Sequence, residues 1–250
     1  MNTTITSIYF SPTENTKRSV ESIAEVIEGN KEQIDITVDL EPKERLFSDK
    51  DLVIFGAPVY AGRIPSVSKE RFMKFKGSKT PCLIVVTYGN RHYDDALLEL
   101  SDLAEELGFV VKGAAALIGR HTYGEIQTNR PSEEDFLENH RFATRAIAEL
   151  MNNKELKIPG NQPYKDGISG GRFHPLTSDS CIECGICVKE CPVQAIDKDF
   201  RTINGNCISC FSCIRKCPKN AKNMDTEEYQ SFAKEFSKEL NKRRENEYFF

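Results

Sequence analysis

The chain reads as an α/β protein, with a doubly wound parallel sheet over residues 1–152 and a smaller module behind it. Three observations carry that reading. Short apolar runs alternate with longer stretches of helical period, the pattern of strand–helix–strand units. Two of the runs, DLVIFGAP (51–58) and PCLIVVTYG (81–89), are apolar almost throughout, as strands covered on both faces are. Eight of the nine cysteines fall between residues 181 and 217.

The elements follow in order. ITSIYF (5–10) is the first strand, and NTKRSVESIAEVIEG after it sets Val20, Ile23, Ala24 and Ile27 at helical spacing, with Gly29 as a stop. QIDITVDL (33–40), residues 51–58, residues 81–89 and FVVKGAAALIG (109–119) bring the strands to five. In DDALLELSDLAEELG (94–108), Ala96, Leu97, Leu100, Leu103, Ala104 and Leu107 share one helical side. SEEDFLENHRFATRAIAELMN (132–152) opens with an acidic first turn behind a Ser132 cap. In such a sheet the ligand belongs where loops leave the carboxyl ends of the strands.

Residues 153–178 carry Pro159, Gly160, Pro163, Gly167, Gly170, Gly171 and Pro175 without apolar period, which predicts a linker or an arm laid across a domain. The cysteine module spans 179–225. The tail, 226–250, sets Tyr229, Phe232, Ala233, Phe236 and Leu240 on one helical face, predicted to dock on the protein itself.

Composition narrows the classes. With 39% hydrophobic residues in 250 the chain can bury a core, and a net charge of −4 without a basic patch argues against nucleic acid. No run of about 18 apolar residues exists for a membrane span. MNTTITSIYF reads as a strand and not a signal peptide, and closely clustered thiols suit a reducing cytoplasm. Cys82, alone in a strand-like run, reads as a small core residue.

CIECGICVKECP (181–192) and CISCFSCIRKCP (207–218) superpose at one constant offset, from Cys181 on Cys207 through to Pro192 on Pro218. Such a repeat marks a duplicated unit. In the CxxCxxCxxxCP pattern three cysteines hold one iron–sulfur cluster and the fourth reaches to the other. That rule assigns Cys181, Cys184, Cys187 and Cys217 to cluster one, and Cys207, Cys210, Cys213 and Cys191 to cluster two. Four cysteines also suit tetrahedral zinc, but zinc ribbons use separated CxxC pairs, without a third cysteine and a closing CP. The module resembles the bacterial two-[4Fe–4S] ferredoxin domain, with every ligand position matched.

The first strand ends in FSPTENTKR (10–18), whose hydroxyls and free amides at a helix start form an anion site. No GxxxxGK[ST] or GxGxxG is present. FGAPVYAGRIP (55–65) and TYGNRHYDD (87–95) leave the third and fourth strands on the same edge, both mixing glycine with tyrosine. The three loops together resemble those of a flavodoxin over roughly residues 3–152. The resemblance implies strand order 2-1-3-4-5 and FMN. Its phosphate is then expected at the loop Ser11, Thr13, Glu14, Asn15 and Thr16, its ring between Pro58, Val59, Tyr60, Ala61, Gly62 and Tyr88, Gly89, Asn90, Tyr93. Glu14 stands where that family often has glycine and must point to solvent; with no tryptophan in the chain, tyrosine must serve the ring. The whole chain is similar to the flavodoxin–ferredoxin fusion (ferrodoxin) proteins of anaerobic bacteria.

Electron transfer between FMN and two clusters, and to redox protein partners, is the function this implies. An FMN-dependent reductase of a small molecule is the alternative, and a redox sensor a third. Among the four histidines only His92 lies in a flavin loop. Residues 1–152 hold 18 basic and 24 acidic side chains, residues 179–225 seven and six, so charge contrast is expected to help dock the two domains.

Overall fold

The computed structural model describes residues 3–150, 152, 156–167 and 170–250. In chain order the elements are β1 (Thr4–Tyr9), α1 (Asn15–Glu25), β2 (Asn30–Asp35), β3 (Arg45–Phe47), β4 (Leu52–Pro58), α2 (Ser66–Phe72), β5 (Phe75–Gly77), β6 (Thr80–Tyr88), α3 (Ala96–Glu106), β7 (Phe109–Ile118) and α4 (Glu133–Ala148). There follow β8 (Leu176–Thr177), α5 (Ile186–Lys189), α6 (Ser212–Arg215), β9 (Lys222–Asn223), α7 (Glu227–Glu239) and β10 (Glu247–Phe249).

The main sheet runs β10-β7-β6-β4-β1-β2, and its five parallel strands, taken in chain order, lie 2-1-3-4-5. The short strands β3 and β5 pair separately. Alternation along each main strand feeds two cores. Ile8, Phe10, Phe55, Ile84 and Val86 share one with Leu97, Leu100 and Ala104 of α3. Ile5, Tyr9, Ile54, Leu83 and Val85 share the other with Val20 and Ile23 of α1 and Phe142 of α4. Burying side chains of this size stabilises the fold by about 1.5–3 kcal/mol each. Ser132 caps α4 in a capping box with Asp135, and Arg130, itself buried, holds the same carboxylate. Cys82 is fully buried in the first core, its thiol pushed far up by burial.

The cysteine module repeats its backbone as well as its sequence. α5 and α6 occupy equivalent places in the two runs, and left-handed residues recur in register: Glu183 and Ser209, Gly185 and Phe211, Gln194 and Asn220. β8 pairs antiparallel with β9, and Ile196 bridges Ile203. At Phe211 a left-handed backbone costs about 1–2 kcal/mol that its twin Gly185 avoids. The compensation comes from its ring, which is buried in a third core with Phe173, Met224, Tyr229 and Ala233.

Three expectations need correction. The second strand lies at 30–35 and not 33–40, because a sheet-edge strand is solvated and NKEQID needs no apolar run; Ile36 then turns inward. Residues 176–177, expected in the arm, form β8 of the cysteine module. The tail is a helix as predicted, but its last residues form β10, antiparallel on β7. Between the domains lie an aromatic core, the Arg71 bond to Pro192 O and one ion pair of the expected sense, Glu14 with Lys216. The third core packs Tyr123 of the sheet domain against Phe211 of the module, with Phe173 and α7. Within the expected arm, 153–155 and 168–169 lie outside the described residues, but 156–167 does lie across the sheet domain. There Asn161 and the Lys165 amide bind Asp95, and Gln162 and Tyr164 bind Asp102.

Candidate functional site

The eight clustered cysteines form two sets of four, each lining one cavity. Cys181, Cys184, Cys187 and Cys217 line one small cavity, and Cys191, Cys207, Cys210 and Cys213 line the other. Each set takes three cysteines from one run and the fourth from the other. Among the described residues no three His, Cys, Asp or Glu side chains converge closely enough for a single metal ion. Four thiols lining one cavity, three of them from a single tight turn, are the donor set that a 4Fe–4S cluster takes. The same chain turn serves both: the amides of Ala195 and Ala221, equivalent positions of the repeat, donate to Cys191 Sγ and Cys217 Sγ, each at 3.2 Å. Burial acts to raise the Cys217 thiol, but amides of Lys222, Lys219 and Ala221 bring it below the usual thiol range. Burial pushes the Cys213 thiol up to about 12. Loading this site therefore releases protons.

The cavities differ in setting. Cys184 and Ile182, on the first, are exposed; Cys210 and Cys213, on the second, are buried. The second faces the sheet domain. The Tyr60 phenol is pushed far above its ordinary value by burial, with Cys210 and Tyr123 beside it.

Tyr60 belongs to the loop after β4. Tyr60 and Arg63 exchange backbone hydrogen bonds around Ala61 and Gly62, both at positive φ, so the loop is a tight hairpin turn. A Cβ on Gly62 would strike Asp94, so glycine is required there. Pro58 ends β4, and the Val59 amide donates to Thr87 O, tying this loop to β6.

In the loop before α1 the amides of Thr13, Asn15 and Thr16 have no hydrogen-bond partner among the described residues. They are free donors at the N-terminus of α1. Three of the expected side chains bond within the scaffold. Ser11 Oγ accepts from the Lys17 amide, Asn15 Nδ2 donates to Arg120 O, and Thr16 Oγ1 bonds Thr87 Oγ1 at 2.6 Å. Glu14, at φ 67°, turns its carboxylate to Lys17 (3.5 Å) and Lys216 (3.8 Å), the latter from the cysteine module.

The third loop is covered. Tyr88 and Tyr93 are buried edge to face, and Tyr93 Oη donates to Glu247 of β10. Asn90 donates to the carbonyls of Leu240 and Lys242. In this arrangement Asn90 and Tyr93 hold the C-terminal tail, while Tyr60 lies beside the cysteine module. The tail's β10 is invisible as a strand in the sequence. Gly89 leaves room for the His121 ring, which a Cβ would meet at 2.2 Å. His92 is exposed, stacked on Tyr93, its Nδ1 accepting from the Asp94 amide. His121, outside the three loops, is the histidine that reaches the site.

Burial pushes the His121 pKa down to about 4, with the Tyr123 backbone partly favouring its protonation and Arg91 opposing it. Its partners are Tyr123, Phe236 of α7 and, at its carbonyl, Arg215. With the folded value depressed, the unfolded chain binds the proton first. The stabilisation is present above about pH 6.5 and lost as pH falls toward 4. Between about pH 6.5 and 5 the loss is expected to be about 1.5 kcal/mol. Denaturant unfolding at the two pH values checks this: His121→Gln should lack that part of the slope, and an unchanged slope refutes the assignment.

Residues 175–197 match the family described as "4Fe-4S binding domain". No curated protein matches the chain. Among solved structures it is similar to a flavodoxin from the domain Archaea (16% identity, TM-score 0.43, covering 59% of this chain and 98% of that one). It is also similar to oxidised flavodoxin 1 from Bacillus cereus (19% identity, TM-score 0.43, covering 59% and 99%). No described helix is long and apolar enough to cross a membrane. The chain thus joins a parallel 2-1-3-4-5 sheet, a flavodoxin-like fold, to a module in which residues 175–197 match a 4Fe-4S binding domain.

Proposed function

We propose that the chain is an electron-transfer protein that holds two 4Fe–4S clusters in its cysteine module and FMN at the carboxyl edge of its sheet. When bound, FMN exchanges one or two electrons and each cluster one, so the pair interconverts two-electron and one-electron traffic. The observation that carries the reading is the pair of four-cysteine cavities, each with three cysteines from one run and the fourth from the other. Cys181, Cys184, Cys187 and Cys217 hold one cluster; Cys191, Cys207, Cys210 and Cys213 hold the other. The amides of Thr13, Asn15 and Thr16 hold the FMN phosphate, and the turn from Pro58 to Gly62 borders the ring.

Covering of the third loop by His121 and the tail favours a carrier over a reductase, because a small substrate would have to displace both. An anaerobic absorbance spectrum with iron, sulfide and extracted-flavin counts tests the cofactors. The expected result is two clusters' worth of iron and one FMN per chain; a colourless zinc protein overturns it. Reoxidation by redox proteins but not, saturably, by small molecules supports the carrier reading.

Glu14 gives a graded check. It stands in the same loop as the amides of Thr13, Asn15 and Thr16, its carboxylate paired with Lys17 and Lys216. Glu14→Gly removes a negative charge next to an anion, worth about 1 kcal/mol near the surface, and tightens FMN binding about fivefold. A fluorescence titration of the apoprotein measures this, and weaker binding would contradict phosphate placement at this loop.

A further inference from the structure

Lys222 breaks the symmetry of the cysteine module. It is the repeat partner of Ile196, so the duplication puts an isoleucine on one cavity and a lysine on the other. Ile196 lines the cavity of Cys191, Cys207, Cys210 and Cys213; Lys222 lines that of Cys181, Cys184, Cys187 and Cys217. Lys222 is 2% exposed, and its Nζ is buried with no hydrogen-bond partner among the described residues. Phe200, Ile186 and Ala221 share that cavity wall with it. Asp199, the carboxylate that feels its charge, is on the surface and bonds Thr202 and the amides of Arg201 and Thr202.

An unpaired ammonium taken out of water costs several kcal/mol unless a negative charge meets it. The cavity supplies four thiolates once a cluster is bound, and a 4Fe–4S core ligated by four thiolates is an anion. β9 fixes the lysine there, its backbone paired with Thr177 of β8. The charge also reaches Cys207 and Cys213 of the other set, but only the first cavity counts Lys222 in its wall.

We propose that Lys222 is a buried counter-charge for the cluster of Cys181, Cys184, Cys187 and Cys217, raising that cluster's reduction potential above its twin's. Reduction adds one electron and so one negative charge, which a fixed ammonium stabilises more than it stabilises the oxidised state. The twin cavity has Ile196 in the same position and no such charge. The more oxidising site then lies at the exposed end of the module, beside Cys184 and Ile182, and the less oxidising one against the sheet domain. This inference rests on the four-cysteine reading of the first cavity.

The test is an anaerobic potentiometric titration with dithionite, followed by electron paramagnetic resonance, on iron-replete wild type, Lys222→Met and Lys222→Arg. Lys222→Met should make one component harder to reduce by about tenfold in the reduction equilibrium, about 59 mV for a one-electron couple. The other component should move less, and Lys222→Arg should stay close to wild type. In a Cys217→Ser background the lysine's effect should vanish with its cluster. Equal potentials in wild type and Lys222→Met at full iron content overturn the proposal and leave the electron-transfer reading standing. A fall in Lys222→Arg as large as in Lys222→Met also overturns it, since packing and not charge would then be responsible. A wild-type chain that binds no iron removes the underlying reading and the proposal with it.

Discussion

Cys217→Ser should strip the cluster from Cys181, Cys184 and Cys187, although Cys217 belongs to the other cysteine run: the fold sets it in the wall of their cavity. About half the iron and sulfide should be lost, with about half the visible charge-transfer absorbance. Cys191→Ser should produce the same fractional loss at the other site, where it stands with Cys207, Cys210 and Cys213. Double variants make the crossing visible. Cys181→Ser with Cys217→Ser removes two ligands of one cluster and should lose no more iron than either single change. Cys181→Ser with Cys191→Ser removes one ligand from each site and should lose nearly all of it. If each run kept its own cluster, the two pairs would give the opposite pattern. Because cluster binding is also folding free energy, the singly depleted module should be cut faster by protease near residues 181–187 than the intact one.

The grouping of cysteines on two cavity walls was legible because the offset between the runs and the CP that closes each are strict. The parallel strands were legible too: a run such as Val53, Ile54 and Phe55 must be covered on both faces, and it is. α2 was not, because SVSKERF is short and weakly periodic, and its Pro65 N-cap makes no side-chain hydrogen bond. The third loop is hard to read for a different reason. Tyr88, Asn90 and Tyr93 do follow the end of β6, but a tail 150 residues away in sequence takes up Asn90. No local pattern announces such a contact. Lys222 sits between these cases: the repeat itself points to it, as the polar residue where its twin is Ile196.

Arg71→Ala should loosen the two domains more than any other single change outside the cysteines. Arg71 is 5% exposed and has no carboxylate within ion-pair distance among the described residues. Its Nη1 donates to Ile36 O at 2.8 Å and Thr37 O at 2.6 Å, and its Nη2 to Pro192 O at 2.6 Å. Burial lowers its pKa, with Asp39 and Glu70 working against the shift. One planar guanidinium thus ties the end of β2 to the residue that follows Cys191. Hydrogen bonds to charged groups are worth about 1.5–3 kcal/mol each, and removing the donor leaves three carbonyls to find water or go without. A net loss on the order of 4 kcal/mol is expected in Arg71→Ala. Arg71→Lys should recover only part of it, since an ammonium cannot span three carbonyls in one plane. Unfolding midpoints measure the loss, and scattering should show the module swinging away from the sheet domain. Raised salt should do little to wild type, because carbonyl bonds and the aromatic core around Tyr123 are not screened as exposed ion pairs are. A variant as compact and as stable as wild type would mean that the aromatic core alone holds the module, and that Arg71 contributes nothing to where Cys191 stands.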